Sequence, residues 1–237
     1  HKAYDRVWVG MDVGLTNHPS EIMIFGEEAV DPRQQRLGRT EDEGGKIGAV
    51  RLRALSRIHL ERISAPNQRR VLEHVYEFYR PQAIAMDRTG LGLPIYQEIL
   101  EMGNRGMIRA MKAYNFSEKI VVAYNQEEAD SERPFGEQIM ANVLEYASDM
   151  LRLYVDQKQL LLPYDSQLIR EFQGVTYSIG RSNTDAYGKR HFHKGTAHAL
   201  DACRMMVVAH ALEKIEATKE VVAHFEPVYD SFLAPMW

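Results

Sequence analysis

The sequence predicts an α/β fold: a central mixed β-sheet flanked by α-helices, with an added β-hairpin. Three observations predict it. Short apolar runs at Val7–Val13 and Ala83–Asp87 read as buried strands, and each carries an aspartate at or near its carboxyl end. Segments with apolar residues at helical spacing then alternate with strand-like runs, the order that places helices against a sheet. A turn-rich stretch within residues 175–192 separates two short strand-like runs, as a hairpin does.

In chain order, residues 7–13 and 21–30 read as two strands joined by the polar connection Leu15 to Ser20, with Pro19 marking the turn. Asp31 to Gly48 is rich in Arg, Glu and Gly without apolar periodicity and reads as an exposed loop. A third strand is expected within Val50 to Ile63. From Pro66 to Arg80, Val71, Leu72, Val75, Tyr76 and Tyr79 recur at helical spacing; Ser64 and Pro66 give the start and Pro81 the stop. After strand 83–87, Arg88 to Gly92 reads as a turn and Pro94 to Met102 as a helix, followed by strands near Met107–Tyr114 and Lys119–Tyr124. Glu137 to Tyr154 reads as one long core helix and Ser166 to Phe172 as a short one. The hairpin takes Val175–Ile179, a turn containing Asp185, and Ala186–Phe192. Thr196 to Thr218 places Leu200, Cys203, Val207, Val208, Ala211, Leu212 and Ile215 at helical spacing, an amphipathic helix, and the tail at about 219–237 shows no period.

Composition bounds the function. With 237 residues and 45% hydrophobic content the chain can bury a substantial core, and it is expected to form a single domain over 1–237. The single cysteine, Cys203, excludes an internal disulfide framework and a multi-thiolate zinc cluster, and reads as a core thiol. No segment reaches the roughly 18 uninterrupted apolar residues that span a bilayer, so the protein is expected to be soluble, with no membrane partner. The polar start lacks a signal peptide's apolar centre, and a chain opening on His1 is expected to be a fragment or a processed product. A formal net charge of −4 gives no global attraction to nucleic acid, so any contact with a polyanion must be local.

Three aspartates carry the chemistry: Asp12 and Asp87 at strand ends, and Asp201 near the start of the last helix. A carboxylate buried at such a place requires a cation, a hydrogen-bond network or solvent. Mg²⁺ and Mn²⁺ prefer carboxylate oxygen, and two such ions about 3.5–4 Å apart activate a water and stabilise the leaving oxygen in phosphodiester hydrolysis. His198 lies three residues before Asp201, on the same helical face, where it can orient a carboxylate, touch metal or shuttle a proton. Taken singly, a strand-end aspartate is more often a cap or turn former; the set of three points to a metal site. Arg181, Lys189, Arg190, His191, His193 and Lys194 concentrate positive charge on the hairpin and its exit, a candidate contact for DNA phosphates. Tyr187 and Phe192 are expected to pack within the hairpin. Other signatures are missing: Gly90-Leu91-Gly92 lacks a third glycine, no P-loop or serine elbow occurs, and His191 with His193 lacks a third zinc ligand.

Gly10-Met11-Asp12-Val13-Gly14, Met86-Asp87-Arg88-Thr89-Gly90-Leu91-Gly92, Asn115-Phe116-Ser117-Glu118-Lys119 and Lys194-Gly195-Thr196-Ala197-His198-Ala199-Leu200-Asp201-Ala202, in that order, resemble the C-terminal nuclease domain of the large terminase subunit of tailed phages and herpesviruses, a branch of the RNase H-like/RuvC-like superfamily. The resemblance spans nearly the whole chain. It implies an RNase H-like fold and a Mg²⁺- or Mn²⁺-dependent endonuclease, cleaving double-stranded DNA by two-metal phosphodiester hydrolysis during viral genome packaging. Asp12, Asp87 and Asp201 fall on the family's metal-ligand positions, His198 where some members carry a histidine, and the hairpin where a family hairpin meets DNA. The implied partners are double-stranded DNA, the terminase ATPase domain, the portal protein and the small terminase subunit, in the host-cell cytoplasm or, for a herpesvirus, the nucleus. The motor's Walker motifs are missing, so the chain would be the isolated nuclease domain. The competing expectations are a RuvC-like junction-resolving nuclease, an actin-like or sugar-kinase-type phosphotransferase, and a non-catalytic DNA-binding or assembly module. The phosphotransferases lack a final-helix aspartate.

Overall fold

The computed structural model describes residue 4 and residues 6–14, 18–29, 50–125, 136–179, 190–193 and 197–224. Its centre is a six-stranded mixed sheet in the order β5-β4-β1-β2-β3-β8. The strands are β1 (Arg6–Asp12), β2 (Ser20–Ala29), β3 (Val50–Leu60), β4 (Ala83–Asp87), β5 (Met111–Tyr114) and β8 (Leu160–Leu161). β1 to β3 run antiparallel to their sequence neighbours, while β4 joins β1 in parallel, Trp8 opposite Ala83 through Met11 opposite Met86. The β1 and β4 runs read as continuously apolar because both sheet faces are covered.

Alternation along β1 sorts the core. Val7, Val9 and Met11 point to one face, with Ile22, Ile24, Ile84 and Met86, and are covered by α1 (Ala65–Tyr79), α2 (Gly92–Met102) and α3 (Arg105–Ala110). Trp8 points to the other face with Met23, Phe25, Ala83 and Ala85, under α4 (Val143–Asp156), α5 (Ser166–Gln173) and α6 (His198–His224). Two small antiparallel ribbons stand apart from the sheet: β6 (Lys119–Asn125) with β7 (Glu137–Asn142), and β9 (Thr176–Ile179) with β10 (Arg190–His193). The second is the added hairpin expected from sequence. The loop 31–48 and the hairpin turn 180–185 lie outside the described residues.

Three expectations are corrected. Glu137–Asn142 is strand, not the first turns of a helix: Ile139 and Met140 are each 47% exposed on a ribbon, and the helix starts where the Asn142 side chain accepts the Leu144 N–H at 3.0 Å. Met107–Ala110 is helical, not strand, because Asn104 caps α3 by accepting the Met107 N–H at 2.7 Å. The last helix is not amphipathic over its working length. Every residue from Ala199 to Ala211 is buried, since α6 lies on the sheet and is itself covered by α4 and α5. It also continues past Thr218 to His224. Cys203 is buried as expected, and desolvation pushes its thiol well above the usual range. No helix among the described residues is long and apolar enough to cross a membrane.

Candidate metal centre

The parallel β1–β4 register and the antiparallel β1–β2 register converge on one row at the carboxyl end of β1. Asp12 pairs with Glu21, Glu21 with His59, and Asp87 with Tyr114. One step beyond Met11↔Met86, Asp12 and Asp87 end adjacent strands, which are about 4.8 Å apart. Laterally paired side chains share a face, so Asp87, Asp12, Glu21 and His59 all lie on the side that α6 covers. The β1 exit is pinned just beyond Asp12: Ser20 Oγ accepts the Gly14 N–H at 2.8 Å, and the buried Gln68 donates to the Gly14 carbonyl at 2.9 Å.

α6 brings the third aspartate to this edge. A Cβ built on Gly10 would stand 1.9 Å from the Ala202 carbonyl oxygen, so the helix rests directly on the β1 backbone. One turn earlier, His198 Nδ1 meets Asp12 Oδ2 at 2.6 Å. The hydrogen bond to Asp12 raises the imidazole pKa against the opposing effect of burial, so the charged form is favoured. The other ring nitrogen of His198, Nε2, is buried and makes no hydrogen bond among the described residues. Asp201 is 1% exposed and its Oδ1 accepts from Arg204 Nη1 at 2.8 Å. Asp87 Oδ1 accepts from the Thr89 N–H at 2.8 Å and from Thr89 Oγ at 2.5 Å, and Thr89 Oγ in turn lies 3.1 Å from Asn115 Oδ1. The 86–92 and 115–119 segments singled out by sequence therefore interlock, with Arg88 paired to Glu118 at 3.1 Å.

The backbone thus gathers Asp12, Asp87 and Asp201 at one edge, while each carboxylate is turned to a protein partner. Among the described residues no three His, Cys, Asp or Glu side chains are close enough to hold a metal ion as they stand. The chemistry of the donors nonetheless fits a hard divalent cation: carboxylate oxygens at adjacent strand ends are the ligands such ions prefer. A cleft of about 510 Å³ opens next to His198, walled by Glu21, His59, Arg170 and Glu171.

Of the DNA-contact candidates, Arg190, His191 and His193 lie on β10, opposite Ile179, Ser178 and Thr176. Arg181, Lys189 and Lys194 lie outside the described residues. Four residues around the site carried no sequence signal of their own: Glu21, Arg57, Glu171 and Arg204. Glu21 alone was within reach, as the antiparallel partner of Asp12 in the expected hairpin.

No family model matches the chain, and no characterised protein matches it by sequence. Solved structures do match. The large terminase nuclease from thermophilic phage G20c with bound magnesium superposes over 86% of this chain and 80% of its own, with a TM-score of 0.54 at 14% identity. The same nuclease with bound cobalt matches equally, at 0.54. The Thermus phage P74-26 large terminase nuclease domain covers 85% of this chain and 77% of its own, with a TM-score of 0.52 at 13% identity. The fold is that of the large terminase nucleases. The RNase H-like architecture expected from sequence is therefore the one observed, and in the terminase-nuclease fold Asp12, Asp87 and the start of α6 share the carboxyl edge of the sheet, where open α/β sheets place their ligands.

Proposed function

We propose that this chain is a metal-dependent endonuclease that hydrolyses phosphodiester bonds of double-stranded DNA during viral genome packaging, as a single nuclease domain over residues 1–237. One observation carries the reading: Asp12 and Asp87 end neighbouring strands on the face where α6 delivers His198, 2.6 Å from Asp12, and Asp201. Asp12, Asp87 and Asp201 would hold the divalent ions, Mg²⁺ or Mn²⁺. A bound pair would supply an activated water and neutralise charge on the departing oxygen. The phage G20c nuclease, solved with magnesium and with cobalt, supports a divalent ion here.

The chain's own residues divide the remaining work. His198 holds Asp12 in orientation through Nδ1 and, in its charged form, carries on its second nitrogen a proton that it can give up. Thr89 and Asn115 fix the turn that presents Asp87. Arg204 neutralises Asp201 within the protein. The hairpin residues Arg181, Lys189, Arg190, His191, His193 and Lys194 would hold the DNA backbone. The terminase ATPase domain, portal protein and small terminase subunit would be the partners in a host-cell cytoplasm, or a nucleus for a herpesvirus.

Plasmid nicking with and without Mn²⁺ tests this. The purified chain is expected to relax and linearise supercoiled plasmid only with the ion. Asp12→Asn, Asp87→Asn and Asp201→Asn should each lower the rate at least about 100-fold, the scale on which single catalytic groups act, while the far-ultraviolet circular dichroism stays unchanged. Full activity in two of the three variants would refute the assignment. Preference for a four-way junction over linear duplex would redirect it to junction resolution.

A further inference from the structure

Among the described residues, helix α6 has no capping side chain of its own at its start. The residue before it, Ala197, has no side-chain oxygen, and the first N–H groups of a helix need acceptors. The acceptor comes from another helix: Glu171 Oε2, on α5, takes the Ala199 N–H at 2.8 Å and the Leu200 N–H at 3.3 Å. These two amides lie between His198 and Asp201. A carboxylate at a helix N-terminus is also favoured by the helix dipole.

Glu171 is itself buried, with 7% of its side chain exposed, and Glu21 nearby has 1%. One guanidinium reaches both, and His59 Nδ1 adds a second contact to Glu21 Oε1 at 2.5 Å. Arg57 forks onto Glu21, Nε to Oε2 at 3.0 Å and Nη2 to Oε1 at 2.8 Å, and Nη2 stands 3.6 Å from Glu171 Oε1. Its Nη1 reaches Asp165 Oδ2 at 3.1 Å, and Asp165 caps α5 through the Gln167 and Leu168 amides. Arg57 therefore ties together the register partner of Asp12, both ends of α5, and through Glu171 the start of α6. Only a planar fork satisfies carboxylates in these three directions; a lysine ammonium is a single point charge.

We propose that Arg57 is a positioning residue for the metal centre: by holding Glu171 against the Ala199 and Leu200 amides, it sets where α6 begins and so where His198 and Asp201 stand relative to Asp12. The inference rests on the nuclease reading for its functional consequence, but not for its structural one.

The test uses the full chain carrying Arg57→Gln or Arg57→Lys, with Leu72→Ala, in the core on the opposite face, as a destabilised comparator. Amide exchange of Ala199 and Leu200 is followed by NMR, and Mn²⁺ binding by calorimetry well below the melting transition. Both Arg57 variants should exchange these two amides at least about 10-fold faster, and Arg57→Gln should bind Mn²⁺ about 10- to 100-fold more weakly, the usual consequence of losing a group that orients metal ligands. Leu72→Ala should do neither. Arg57→Lys retains the charge, so it reports on the fork even where Arg57→Gln does not fold. Unchanged Ala199 and Leu200 protection in Arg57→Lys, or an equal Mn²⁺ loss in Leu72→Ala, would overturn the proposal. If the wild-type chain binds no Mn²⁺, or Asp12→Asn binds it as well as wild type, the nuclease reading fails alone, and the amide exchange still decides the part played by Arg57.

Discussion

Removing the Arg204 guanidinium would leave a carboxylate at 1% exposure without the cation that now lies 2.8 Å from it. Breaking one side of a buried pair costs about 3–5 kcal/mol. Arg204→Ala should lower unfolding free energy by that amount in a urea titration, whereas an exposed pair such as Arg152 with Asp156 should give under about 1 kcal/mol. Two other side chains set pH dependence with opposite signs. His210, Trp8 and Arg6 hold the Glu27 carboxyl down at about 2 from an ordinary 4.5, against the burial that opposes them. A depressed carboxylate stabilises the fold above its unfolded value and loses that contribution as pH falls, so Glu27 should cost roughly 2–3 kcal/mol between pH 4.5 and 2. Glu27→Gln should flatten that limb of the stability curve. The His198 imidazole is raised above 6.5, so its pairing with Asp12 is complete below that pH and fades as pH climbs through the folded value. An NMR titration should show the His198 midpoint above 6.5 in wild type and closer to it in Asp12→Asn.

At the scale of elements, the decisive contact is α6 on β1. Gly10 permits it, because any side chain there would strike the Ala202 carbonyl, helix backbone that cannot swing aside. Gly10→Ala should destabilise by at least about 2 kcal/mol, as overpacking against a fixed wall does, and should loosen the Asp12–His198 hydrogen bond, visible as a lowered His198 midpoint. A normal melting temperature with an unmoved midpoint would show that the helix rides on β1 less tightly. The same scale explains what sequence missed. The strand-end aspartates were legible because a short apolar run ending in a charge has few other uses in a covered sheet. β7 was not, because Ile139 and Met140 happen to continue the period of α4 and only the Asn142 cap separates the two. Asn104 is a cap of the same kind, and it turns Met107–Ala110 into helix despite a strand-like composition.

The whole molecule carries a net charge of −4, so the proposed DNA affinity would have to come from a local patch. Replacing Lys189 and Arg190 by alanine should reduce the slope of log affinity against log salt by about 1.8, two phosphate contacts' worth, with the largest loss at low salt. An unchanged slope in a fluorescence-anisotropy titration would remove the hairpin from the DNA surface. The three-layer packing puts the candidate site on one face of the sheet only, the face that α6 covers. One core lies under α1 to α3 and the other under α4 to α6, and the candidate site lies along the line where the strands between them end.

By itself the sequence determined most of the strands and helices, the sheet edge at which Asp12 and Asp87 emerge, and an ordered set of motifs resembling those of terminase nucleases. Those features are local: period, turn chemistry and run length are written along a few residues each. Tertiary structure alone decided that Ala199–Ala211 of α6 is buried on every side, that Glu171 caps the helix from another one, and that one arginine on β3 reaches carboxylates from two layers. Such facts follow from which distant groups must share a low-dielectric space, and no spacing along the chain records that.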